Sequence, residues 1–227
     1  MLWLLLLGVI LLLVFLPSWW VRRTMARYDQ PADRYPSTGA DLARHLLDEN
    51  GLQQVTVELT EQGDHYDPEA KAVRLEAGRY HGHSLTAVTV AAHEVGHALQ
   101  DAQGYGPLAW RTRLVYLLRP LERVGAGVLM AAPLFAILTR LPSMTALIIL
   151  GGLLTLGTST LVHLVTLPTE FNASFSRAMP LLRRDGILHL EDHPHARKIL
   201  AAAAMTYVAV SLMSLLNVAR WWTLLRR

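Results

Sequence analysis

No cysteine occurs anywhere in the 227 residues. Disulfides are thereby excluded, and so are thiolate metal sites: any zinc must be held by histidine and carboxylate. Charge is scarce too, at 17% Asp, Glu, Lys and Arg against about 25% in average soluble domains. With 52% of residues hydrophobic, that balance points to a membrane protein. The net charge of +3 would otherwise prompt a nucleic-acid reading, but the arginines flank apolar runs, which the positive-inside rule explains more simply. No nucleic-acid partner is therefore expected. Internal repeats are lacking, and the length suits one domain or slightly more.

What is present centres on His93-Glu94-Val95-Gly96-His97, inside a proline-free run from Ser84 to Gln103. Ser84 is a suitable N-cap, and Gly104 with Pro107 supplies a stop, so the spacing predicts a helix with the motif well inside it. On a helix, residues i and i+4 share a face, so two imidazoles can reach one zinc ion. Glu94, beside the first of them, is placed to take a proton from a water on the metal. Ala91, Ala92, Gly96 and Ala98 are small and let neighbouring elements approach. Gly96 costs about 1 kcal/mol against alanine in a helix, which invites a packing reason.

Upstream, residues 1–21 form an apolar run followed by Arg22, Arg23 and Arg27. No basic stretch precedes it and no A-x-A site follows, so it reads as an anchor rather than a signal peptide. Thr38 or Ser37 can cap a helix from Gly39 to Asn50 that Gly51 closes. Val55–Thr60 and Ala72–Glu76 alternate with period two and predict a hairpin, with an edge that could take an extended peptide. His65, Tyr66, His81 and His83 fall in the connecting loops. Residues 106–123 interleave arginine with leucine as a surface amphipathic helix would, kinked or ended at Pro120. Further apolar runs follow at 124–139, 144–167 and 199–218.

A catalytic zinc site needs a third protein ligand. The metzincin pattern would put a histidine where Gln103 stands, so a carboxylate on another helix is expected instead. Glu170 is preferred over Glu122, Asp185, Glu191 and Asp192. Pro168 can open a helix there, Ala173 and Ser174 are small, and two spans between His97 and Glu170 would return both to one face of the bilayer.

The segments 91–100 and 167–178, taken together, resemble the YugP-type family of bacterial membrane zinc metallopeptidases. Asp64-His-Tyr-Asp-Pro and Ala201-Ala-Ala-Ala-Met-Thr-Tyr-Val-Ala support the likeness, which covers nearly the whole chain. It implies a zinc peptidase with His93, His97 and Glu170 as ligands and Glu94 as catalytic base. More distantly the chain is similar to the membrane heat-shock protease HtpX, whose second motif is E-x-x-A-D; Ser174 stands where that pattern has aspartate, at the position that would support a zinc histidine.

The expected architecture is a mainly α membrane protein of about four transmembrane helices, with a small α+β zincin-like catalytic portion at the membrane surface. Its parts are an anchor (1–21), a cytoplasmic catalytic portion (22–123), two spans (124–167), a cytoplasmic segment with the third ligand (168–198) and a last span (199–219). The expected activity is zinc-dependent hydrolysis of membrane or membrane-proximal polypeptides, at the cytoplasmic side of the bacterial inner membrane. Lipid contact and a membrane-protein partner or second copy belong to that picture. Ser174, Arg177, His193 and Tyr207 are candidate substrate or supporting residues. Two other readings stay open: a non-catalytic adaptor with structural zinc, and a zinc hydrolase of non-peptide substrates.

Overall fold

The computed structural model describes residues 2–139, 146, 150–151, 162, 165–184, 186–206 and 208–209. Helix α1, Leu2–Arg27, is followed by α2, Gly39–Glu49, strands β1 (Thr56–Thr60), β2 (His65–Asp67) and β3 (Ala72–Glu76), and the short α3, Ala77–Tyr80. Then come α4, Leu85–Ala102, and the long α5, Gly106–Thr139. Residues 165–171 are helical and lead into a π-helical turn, Asn172–Ala178, then α6, Met179–Leu182, and a 3-10 turn, Leu190–Asp192. A helical run over 193–206 closes the described chain.

The chain divides into two compact units. One comprises residues 1–17, 110–166 and 207–227; the other, residues 18–109 and 167–206, holds the sheet, α4 and the motif. Within the second unit α4 is the central element. Every residue from Leu85 to Gln100 is buried, as only a helix covered on all sides can be. It packs against α2, α3, β2, β3, the π-helical turn and α6. Leu42, Ala43, Leu46 and Leu47 of α2 form one wall of this core, Val73 and Leu75 of β3 another, and Leu181, Leu182, Ile199 and Leu200 a third.

Both predicted caps form. Ser84 Oγ accepts from Ala87 N at 3.1 Å, and Gly104 takes a φ of 64° just past the end of α4, where an L side chain would be strained. Thr38 caps α2 in a reciprocal box with Asp41, satisfying two orphan donors at once.

The hairpin expected from Val55–Thr60 and Ala72–Glu76 is not formed. The sheet order is β1-β3-β2, with β1 parallel to β3 and β2 antiparallel to it. His65, Tyr66 and Asp67, read as loop, are the missing strand. Asp67 Oδ1 accepts from Glu69 N and Ala70 N at 2.9 and 3.1 Å, and Lys71 adopts a φ of 53°. That tight turn folds β2 back on β3, so β1 pairs in the parallel sense.

The expectation of about four transmembrane helices is also corrected, and with it the multi-pass inner-membrane placement. Among the described residues no helix is long and apolar enough to cross a membrane. Residues 106–123 and 124–139 are not a surface helix followed by a span. They are one helix of 34 residues that runs through Pro120 and Pro133, so the arginines at 111, 113, 119 and 123 share an element with the apolar half. Residues 2–21 are likewise part of a helix that continues to Arg27. Most of 144–164 and 210–227, on which other spans were expected, lies outside the described residues.

Candidate metal centre

His93 and His97 stand one turn apart on α4, 3% and 5% exposed, with ring centroids 4.8 Å apart. Across from them is Glu170, fully buried. Its Oε2 lies 3.3 Å from His93 Nε2 and 3.2 Å from His97 Nε2, and ligand atoms from all three residues fall within 4.8 Å of one another. Zinc bonds of about 2.0–2.2 Å in a tetrahedron put neighbouring ligand atoms about 3.3–3.6 Å apart. The two carboxylate–imidazole spacings, 3.3 and 3.2 Å, are near that value.

Close approach of the two elements depends on Gly96. A Cβ there would meet the Ala173 carbonyl oxygen at 2.7 Å, so only glycine lets the π-helical turn lie this near α4. A π turn widens the helix locally and is often found at functional sites. Here it begins two residues after Glu170 and carries Ala173 over Gly96 and Ser174 towards His93. Pro168 does not open this helix, as the sequence suggested, since residues 165–167 are already helical.

The outer nitrogens of both imidazoles are engaged. His93 Nδ1 is 3.0 Å from Ser174 Oγ, which in turn lies 3.0 Å from the Leu200 carbonyl oxygen. A carbonyl only accepts, so the hydroxyl proton goes to Leu200 and Ser174 accepts from His93 Nδ1–H. His97 Nδ1 is 3.0 Å from Gln100 Oε1 and donates to it. Both Nε2 atoms consequently turn bare lone pairs towards one carboxylate oxygen. Three electron-rich atoms at such distances repel unless a cation lies among them. The donor set therefore fits a zinc ion.

Glu94, next to His93, is 5% exposed. Of the supporting residues expected, Ser174 is in place beside His93. The Arg177 guanidinium lies 5.8 Å from the Tyr105 ring. His193 begins the helical run over 193–206. It follows Asp192, which is bound by Arg34 Nε at 2.5 Å and by the Tyr35 hydroxyl, and it is not in the three-residue cluster. Tyr207 lies outside the described residues. Gln100 was missed, although its spacing of three from His97 places it on the same helix face, and a wholly buried amide amid alanine, valine and leucine calls for a partner.

A buried pair of imidazoles on one helix, met by a carboxylate from another, is the donor set of a zinc hydrolase. Comparison with known proteins agrees. Residues 3–226 match the family model described as "Putative neutral zinc metallopeptidase", and the chain belongs to that family. It is 39% identical over 206 residues to "Putative membrane protease YugP" of Bacillus subtilis (strain 168), covering 88% of this chain and 86% of that protein. No solved structure matches.

Proposed function

We propose that the chain is a zinc-dependent endopeptidase in which His93, His97 and Glu170 hold the metal and Glu94 is the catalytic base. The observation that carries this reading is the pair of Nε2 lone pairs facing Glu170 Oε2 at 3.2 and 3.3 Å. Zinc in that place supplies Lewis acidity, polarising a scissile carbonyl and acidifying a water. Glu94 would accept a proton from the attacking water on its carboxylate as the water oxygen bonds to the scissile carbonyl carbon, and would return that proton to the amide nitrogen as the C–N bond breaks. Ser174 and Gln100 keep the two imidazoles in the tautomer that faces inward. Among the described residues three side chains converge rather than four, which favours a catalytic site with an open position over a closed structural one. Polypeptides are the substrate class that the family description supports.

The test joins metal analysis with cleavage. Glu94→Gln should retain zinc at wild-type stoichiometry and lose about 10²–10⁴-fold in peptide hydrolysis. Comparing the proteomes of cells that carry wild type and this variant would show which polypeptides accumulate. Wild-type cleavage by the variant would remove Glu94 from its role, and zinc-free wild-type protein would remove the whole reading.

A further inference from the structure

Gln100 joins the first ligand-bearing element to the second. Its side chain is fully buried and all its polar atoms are used. Nε2 donates to the Thr169 carbonyl at 2.8 Å and to Asn172 Oδ1 at 2.9 Å, while Oε1 faces His97 Nδ1 at 3.0 Å. Thr169 and Asn172 flank Glu170, one residue before it and two after. Because the Thr169 carbonyl can only accept, the amide has one allowed orientation, and that orientation leaves only an acceptor for His97.

From this we infer that Gln100 is a positioning residue of the metal centre with two linked duties, deepening the zinc reading above and resting on it. It selects the His97 tautomer whose Nε2 is bare, and it grips the Thr169 carbonyl before Glu170 and the Asn172 side chain after it, so that the carboxylate faces that nitrogen. A single amide thus ties the orientation of one ligand to the placement of another. A carboxylate at 100 could perform the first duty but not the second, since it has no proton for Thr169 or Asn172. A neutral acceptor also adds no negative charge to the site, unlike the carboxylate partners common behind zinc histidines.

The experiment uses the full chain and reads zinc affinity by chelator competition. Histidine tautomers are read by 15N–1H spectroscopy of metal-free protein at alkaline pH, and folding by thermal melting. Gln100→Met keeps the volume and removes every hydrogen bond. It should weaken zinc binding about 10–100-fold and populate His97 with its proton on Nε2. Gln100→Glu should keep the wild-type tautomer and still bind zinc more weakly than wild type, because loss of the grip on the Glu170 segment outweighs the charge the carboxylate adds behind His97. A merely structural residue would lower the melting temperature of both variants and leave the His97 tautomer alone. Should Gln100→Met fail to fold, Gln100→Glu decides by itself: retained tautomer with weakened zinc supports the assignment, and any other combination overturns it. Wild-type zinc affinity in a folded Gln100→Met protein would also overturn it while leaving the zinc site standing, whereas a wild-type chain that binds no zinc would overturn both.

Discussion

Helix α4 and the π-helical turn Asn172–Ala178 face each other across the candidate centre, and they are built on opposite principles. The first is regular, capped by Ser84 at one end and closed by Gly104 at the other. Its two histidines owe their relative position to helical spacing alone. The second departs from the α-helix immediately after Glu170, and nothing in its local sequence sets the position of that carboxylate. Contacts across the interface set it instead: the Ala173 carbonyl over Gly96, Ser174 between His93 and Leu200, and the Gln100 amide on Thr169 and Asn172. A two-part metal site of this kind has one half specified locally and the other by packing, so damage at the interface should cost more than damage at the helix ends.

The sharpest way to break that contrast is Gly96→Ala. Helix propensity would favour the change by about 1 kcal/mol. The new Cβ, however, would stand 2.7 Å from the Ala173 carbonyl oxygen, and a backbone atom in a packed turn has little room to yield. Overpacking typically costs about 1–3 kcal/mol, so a net loss of up to about 2 kcal/mol is expected. Zinc affinity should fall with it, as the whole π turn is pushed from α4. Thermal melting and chelator competition on one preparation measure both. A stabilised Gly96→Ala protein with wild-type zinc binding would mean that the interface is loose.

The same contrast explains what could be read from the sequence. The two capped helices were legible because capping, breakers and amphipathic spacing are local properties. Glu170 was singled out among carboxylates partly on a count of membrane spans, yet no described helix is long and apolar enough to cross a membrane. Continuity of α5 through Pro120 was hidden because apolar runs bounded by arginine look alike whether they end a helix or continue it. Strand β2 is three residues long, too short for any periodicity to show, and without it the parallel pairing of β1 could not be foreseen. The π turn arises from a tertiary approach at Gly96. Only the small residue itself hinted at that, by its cost in the middle of a helix.

Ser174→Ala probes the interface more gently, since it removes a hydroxyl without adding bulk. His93 Nδ1–H loses its acceptor and the Leu200 carbonyl its donor. Leaving buried polar groups unmatched costs about 1–3 kcal/mol, and loss of a partner behind a zinc histidine typically lowers affinity about 10–100-fold. The expected outcome is a loss near the lower end of both ranges, because a hydroxyl is a weak acceptor. Zinc titration of the variant, set beside its melting temperature, checks this. A fall in stability with full zinc affinity would make Ser174 a strut for Leu200 and nothing more.

Ser84→Ala should do least to the centre, because it acts at the end of α4 that lies away from the motif. The hydroxyl accepts from Ala87 N at 3.1 Å and donates to Asp29 Oδ1 at 2.7 Å, so both a cap and a tether to the segment after α1 are lost. Removing an N-cap serine costs about 0.5–2 kcal/mol. The second bond places this site towards the middle of that range, comparable in stability to Ser174→Ala. Zinc affinity separates the two variants. His93 lies more than two turns beyond the cap, and the rest of α4 is held on all sides by the core, so fraying at Ser84 should not reach the imidazoles. Equal stability loss with unequal zinc loss would show that the centre depends on the packed interface rather than on the integrity of the helix as a whole. Equal zinc loss in both would mean that α4 transmits damage along its length, and the division between a locally specified half and a packed half would then have to be given up.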